Sequence, residues 1–219
     1  MSYAAVETLT MQNGLSIYGG FHGDTADGLP EGHQTLLMLG PSPSFWPHFK
    51  TTPEFTDGTP DPIDRWSNRI LTELATQLNA TAFLPFGGPP YAPFLTWAIK
   101  TGRAWSSPVG MLVHDTTGLM VSYRGALAFR DRLDLPTPPE QPCTPCVKPC
   151  LTACPVDALS AEHGYNTEAC HAHLRTPAGK TCLTKGCLAR HACPVAKGAN
   201  RTAEQSAHHM SYFHRTEPS

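Results

Sequence analysis

Eight cysteines lie between Cys143 and Cys193, and none precedes Cys143. The first four run Cys143-x2-Cys146-x3-Cys150-x3-Cys154 and are followed at once by Pro155. Thiolates this close in sequence can wrap several iron corners of a compact [4Fe–4S] core, and the proline turns the chain away after the last ligand. The usual run has two residues in its middle gap. Here there are three, Pro149 among them, so the loop must bulge. The second group, Cys170, Cys182, Cys187 and Cys193, is looser and again ends in a proline, Pro194. The repeated Cys-Pro-Val at 154–156 and 193–195 points to two pseudo-symmetric halves. The expectation is two [4Fe–4S] clusters with all eight cysteines as ligands. Other chemistries stay open at this point. Zinc could fill two four-cysteine sites, with His171, His173 and His191 nearby. Disulfides and a single cluster with four spare thiols are further options.

These ligands need a scaffold. The chain has 219 residues, enough for a domain of roughly 140 residues and a small second one. Its formal net charge of −2 gives no sign of nucleic-acid binding. Twenty-two prolines and 18 glycines imply many loops. No apolar run approaches the ~20 residues that cross a bilayer, and the N-terminus lacks a signal-peptide pattern. A cytoplasmic location is therefore expected, where thiols hold metal more often than they form disulfides. The proline-rich stretch at 135–142 (LPTPPEQP) reads as a linker. It divides the chain into residues 1–137, an α+β domain, and residues 138–219, a small cysteine-bearing domain with a C-terminal helix.

In the first part a helix is expected over 3–12, stopped at Asn13-Gly14, with strands at 15–21 and 35–39. Asp61-Pro62 should open the clearest helix, with Asp61 as its N-cap. Ile63, Trp66, Ile70, Leu74 and Leu78 then fall on one face. Residues 82–86 read as a short strand running into Gly87-Gly88-Pro89-Pro90, and 91–100 as a helix with Gly102 near its end. Residues 108–129 read as a hairpin, VGMLVH and LMVSYRGALAF joined by the turn DTTG. His208, His209 and His214 are expected on a solvated helix face, and Trp97 and Trp105 in the core.

With these residues in view, the C-terminal part resembles the dicluster ferredoxin domain of epoxyqueuosine reductases and reductive dehalogenases. Cys170, in EACHAHL, looks like their lone cysteine at a helix start, whereas Cys182 and Cys187 are more widely spaced than in those families. The resemblance implies crossed ligation. Cys143, Cys146 and Cys150 would share a cluster with Cys193, and Cys170, Cys182 and Cys187 would share one with Cys154. The first part resembles the cobalamin-binding domain that those reductases share with the CblC-type cobalamin-processing protein. The likeness rests on VGMLVHDTTGLMVSYRGALAF, with His114, Gly118, Arg124 and Gly125, and on Asp61-Pro62-Ile63-Asp64.

That resemblance implies a nitroreductase-like α+β fold holding a corrinoid against backbone and apolar surface. Gly87, Gly88 and Pro89 would let the backbone approach a flat macrocycle, and Tyr123 and Arg124 would contact its periphery. His114 is a further candidate, although a strand-ending histidine with a satisfied ring is the simpler assignment. Flavin is an alternative cofactor, since nitroreductase-like folds often hold it, but no residue argues for it. The expected role is an electron-transfer protein that reduces a corrinoid or removes its upper ligand, fed by a flavoprotein or other reductase. The rivals are a stand-alone electron carrier and a corrinoid chaperone without turnover. No acid for substrate protonation is matched, and no basic surface for tRNA is apparent. Oligomeric state is not fixed by the sequence.

Overall fold

A computed structural model describes residues 1–160 and 162–215. The chain divides into two compact units, Met1–Ala104 with Ser122–Glu140, and Trp105–Val121 with Gln141–Ser219. The break at 140/141 lies three residues beyond the expected 137/138 boundary. Segment Trp105–Val121, however, groups with the cysteine-bearing part rather than with the residues on either side of it. Among the described residues no helix is long and apolar enough to cross a membrane.

The first unit is mixed α and β. It opens with α1 (Tyr3–Gln12), which ends at Asn13 as expected. Next come β1 (Leu15–His22), β2 (Thr35–Pro41), α2 (Phe45–Phe49), α3 (Pro53–Thr56), α4 (Pro62–Leu78), β3 (Thr81–Phe83) and α5 (Phe94–Lys100). Strand β4 (Ala104–Ser106) leads out of this unit and pairs with β5 (Leu112–His114); β6 (Gly125–Phe129) lies back in the first unit. The four-stranded sheet has the order β1-β2-β6-β3, antiparallel throughout. On α4 every residue of the expected face is buried, from Ile63 and Trp66 to Leu78. It packs with Leu37, Leu39, Leu127 and Phe129 of the sheet and with Phe45, Trp46 and Phe49 of α2. Trp97 of α5 is buried and meets Phe83 edge-on at 5.3 Å.

Two expectations are corrected here. Residues 108–129 do not form one hairpin. The local turn survives as paired backbone hydrogen bonds between His114 and Gly118, but β6 pairs with β2 and β3. All five β6 residues are buried, as GALAF requires: small apolar residues without alternation suit a central strand covered on both faces. Asp61 stands at the N-cap of α4 with φ 53° and makes no side-chain cap. Arg65 does that anchoring, donating to Pro60 O, Thr59 O and Glu54 O and pairing with Asp57 at 2.8 Å. Its guanidinium holds the Asp57 carboxyl down at about 2.

The second unit is built from short pieces around the cysteines. After β5 come the short hairpin β7 (Leu159–Ser160) and β8 (Gly164–Tyr165), then α6 (Thr167–Leu174), α7 (Lys180–Lys185), α8 (Leu188–Ala192) and α9 (Ala203–Phe213). Its core combines Val109, Val113, Leu119 and Met120 with Cys150, Leu159, Ala189 and Cys193. Arg190 donates to Leu119 O and Val121 O, and Arg201 to Met120 O, so two guanidiniums satisfy the carbonyls of the incoming segment.

Candidate metal centre

The first cysteine run is a loop closed by a 3₁₀ turn, Pro149–Leu151. Lys148, at φ 56°, reverses the chain just before that turn. This is how the extra residue of the middle gap is absorbed. The bulge keeps Cys146 Sγ accepting from Lys148 N–H at 3.2 Å. Cys154 Sγ likewise accepts from Ala158 N–H at 3.3 Å, on the far side of Pro155. Cys170 sits in α6, whose start is capped by Asn166 Oδ1 on Ala169 N–H. The later cysteines are spread over separate helices: Cys182 is on α7, Gly186 turns the chain at φ 93°, and Cys187 and Cys193 flank α8.

None of the eight thiols is bridged in a disulfide. Electrostatically they fall into two quartets. The cysteine neighbours that act on Cys143 are Cys146, Cys193 and Cys150. Those that act on Cys182 are Cys187, Cys170 and Cys154. Cys150 feels Cys193 and Cys146, and Cys170 feels Cys187 and Cys154. Each quartet therefore mixes the two halves of the cysteine region. In Cys143, Cys150, Cys170 and Cys182 burial is the main force pushing the thiol pKa up, and the neighbouring cysteines add to it.

The second quartet surrounds a space. Cys154, Cys170, Cys182 and Cys187 all line one cavity of about 280 Å³, whose other walls include Leu159, Leu174, Leu188 and Phe213. Among the described residues no three His, Cys, Asp or Glu side chains converge to hold a single metal ion. Four thiolates on one tetrahedral zinc would stand about 3.8 Å apart, given bonds of about 2.3 Å. Four cysteines on the wall of one cavity are the donor set that an iron–sulfur core takes.

Polar groups reach this second site from the side. Tyr165 Oη donates to Cys170 Sγ at 3.3 Å. Burial first, and then that thiol, push the tyrosine pKa well above its usual value, so the hydroxyl stays protonated. His173 and His209 also line the cavity, and the buried Nε2 of His173 has no hydrogen-bond partner. The histidines of α9 are thus not a solvated face. His209 faces the cavity, His208 has its pKa lowered by burial, and His214 stacks on His171 with 2.7 Å between their Nδ1 atoms. The spacing of α9 gave no warning, because its inward positions mix the polar Gln205, Ser206 and His209 with Met210 and Phe213.

The other candidate residues are divided between the units. His114 is wholly buried, in the second unit, and its Nδ1 lies 3.0 Å from both Thr116 Oγ1 and Asp115 Oδ1. It closes a turn, as the simpler assignment has it. Gly87, Gly88 and Pro89 follow β3 in the first unit, and Tyr123 and Arg124 precede β6. Since Phe83 pairs with Ala126 in antiparallel register, both segments leave the sheet at the same end. There Tyr123 meets Tyr18 edge-on at 5.9 Å, and Arg124 pairs with Asp64 at 3.3 Å. Burial dominates both members of that pair, raising the pKa of Asp64 and lowering that of Arg124.

No family model matches the chain, and no curated protein matches it. Among solved structures it is similar to a selenomethionine-labelled epoxyqueuosine reductase, at 14% identity and a TM-score of 0.48, over 94% of this chain and 69% of that one.

Proposed function

We propose that this chain is an iron–sulfur electron-transfer protein of the cytoplasm that holds two [4Fe–4S] clusters. Cys143, Cys146, Cys150 and Cys193 would ligate one, and Cys154, Cys170, Cys182 and Cys187 the other. The observation that carries this reading is the sorting of eight unbridged thiols into two quartets, one of them lining a single cavity. When bound, such clusters supply one-electron transfer at a potential set by charge, hydrogen bonds and solvent access. The chain's own residues do the rest. Leu159, Leu174, Leu188 and Phe213 give the second site an apolar wall. The N–H groups of Lys148 and Ala158 oppose the negative charge of the thiolates. Thiolates are the ligating form, and burial pushes the Cys143, Cys150, Cys170 and Cys182 thiols up, so ligation by these four would release protons.

The finer reading adds a substrate. The first unit would bind a corrinoid at the sheet end that carries Gly87–Pro89, Tyr123 and Arg124, and the protein would serve its reduction or the loss of its upper ligand. Electrons would come from an external donor such as a flavoprotein. The shared sheet end supports this, where Gly87–Pro89 and the Tyr123–Arg124 segment leave the sheet together. Hydroxocobalamin added to the anaerobic protein tests it. Shifted corrin bands and co-elution on gel filtration are expected, followed by cobalt reduction once the clusters are reduced. Binding without reduction would mark a chaperone, and no binding a plain electron carrier.

A further inference from the structure

The two quartets differ in their surroundings, and the difference has a direction. Both receive backbone N–H groups, from Lys148 on Cys146 and from Ala158 on Cys154. At the second quartet side chains join in. Tyr165 Oη donates to Cys170 Sγ, and His173 stands on the cavity wall with a buried, unpartnered Nε2. A buried imidazole nitrogen without a partner is costly, by about 1–3 kcal/mol in general. Filling the cavity with a sulfur-rich anionic core would supply an acceptor for it. The first quartet instead packs Cys150 and Cys193 among Val109, Val113 and Leu119.

Resting on the two-cluster reading, we infer that Tyr165 and His173 are positioning residues that donate hydrogen bonds to the second cluster and set it at a higher potential than the first. The physical ground is general. Hydrogen bonds to cluster and ligand sulfur stabilise the more negative, reduced form and so raise the midpoint potential. The histidine acts through its Nε2–H. The consequence is a built-in order: an electron entering at the Cys143 quartet runs downhill to the Cys154 quartet. The first centre is oxidised by one electron and the second reduced by one.

The experiment is a redox titration of the anaerobically purified full-length holoprotein, followed by electron paramagnetic resonance, on wild type, Tyr165→Phe, His173→Leu and His173→Gln. Iron and sulfide are assayed first. If wild type holds neither, the cluster reading fails, and this inference with it, before any potential is compared. With clusters present, two midpoint potentials are expected. Tyr165→Phe and His173→Leu should each lower the higher one and leave the other in place, and His173→Gln, which keeps a donor, should recover most of the wild-type value. Unmoved potentials, a joint shift of both, a drop in the lower one only, or His173→Gln behaving as His173→Leu would each overturn it. Tyr165→Phe alone keeps the test decisive if the histidine variants fail to load iron.

Discussion

Gly118 is the point where the segment Trp105–Val121 presses on the cysteine loops. Its φ is +54°, and a Cβ there would stand 2.6 Å from Ala196 N, 2.7 Å from Cys193 Sγ and 3.0 Å from Val195 C. Gly118→Ala therefore meets two costs. The left-handed conformation costs an L-residue about 1–2 kcal/mol. Forcing a methyl into backbone and a thiol adds about 1–3 kcal/mol, because neither neighbour is the free end of a flexible side chain. Together the expected loss is about 2–5 kcal/mol. Gly164→Ala is the control in the same unit, since its φ is +67° and its Cβ would meet nothing within 4 Å. It should lose only the conformational part, about 1–2 kcal/mol. Anaerobic urea unfolding followed by circular dichroism measures both. Because the clash falls on Cys193, Gly118→Ala should also lose iron from the first quartet, while Gly164→Ala keeps its full content. Equal stability losses and equal iron in the two variants would refute the reasoning.

The Glu54–Arg69 pair gives a pH test. Arg69 grips both carboxylate oxygens, at 2.6 and 3.1 Å, and its hydrogen bonds hold the Glu54 carboxyl below the usual range against the opposing effect of burial. A depressed folded pKa means the pair stabilises above the unfolded value of about 4.3 and is lost as pH falls through the folded one. Glu54→Gln should lower stability by about 1–2 kcal/mol near neutral pH, with the gap to wild type closing below about pH 4; a gap constant with pH would contradict this. Arg190→Met leaves the carbonyls of Leu119 and Val121 without their donor and should cost about 2–4 kcal/mol in denaturant unfolding, with Arg190→Lys recovering part of it.

The sequence was most legible where one force dominates. The buried face of α4, the stop at Asn13-Gly14 and the first two strands follow from local periodicity and turn chemistry. The four-cysteine run was legible because ligand spacing is a local property. What it hid was long-range. GALAF reads equally well as a hairpin arm or a central strand, and only the pairing of β6 with β2 and β3 decides. The crossing of Trp105–Val121 into the second unit is fixed by Arg190 and Arg201 and by glycines that permit close approach; Gly198, for one, has no room for a Cβ beside Thr116 O. His209 became a site residue only through the placement of α9 beside the cavity.

The most direct test of the central claim is the iron, acid-labile sulfide and zinc content of the full chain purified without oxygen. About eight irons and eight sulfides per chain are expected from two cubane clusters with four thiolates each, with negligible zinc. Two zinc ions per chain and no sulfide, or thiols recovered as disulfides under those conditions, would contradict it.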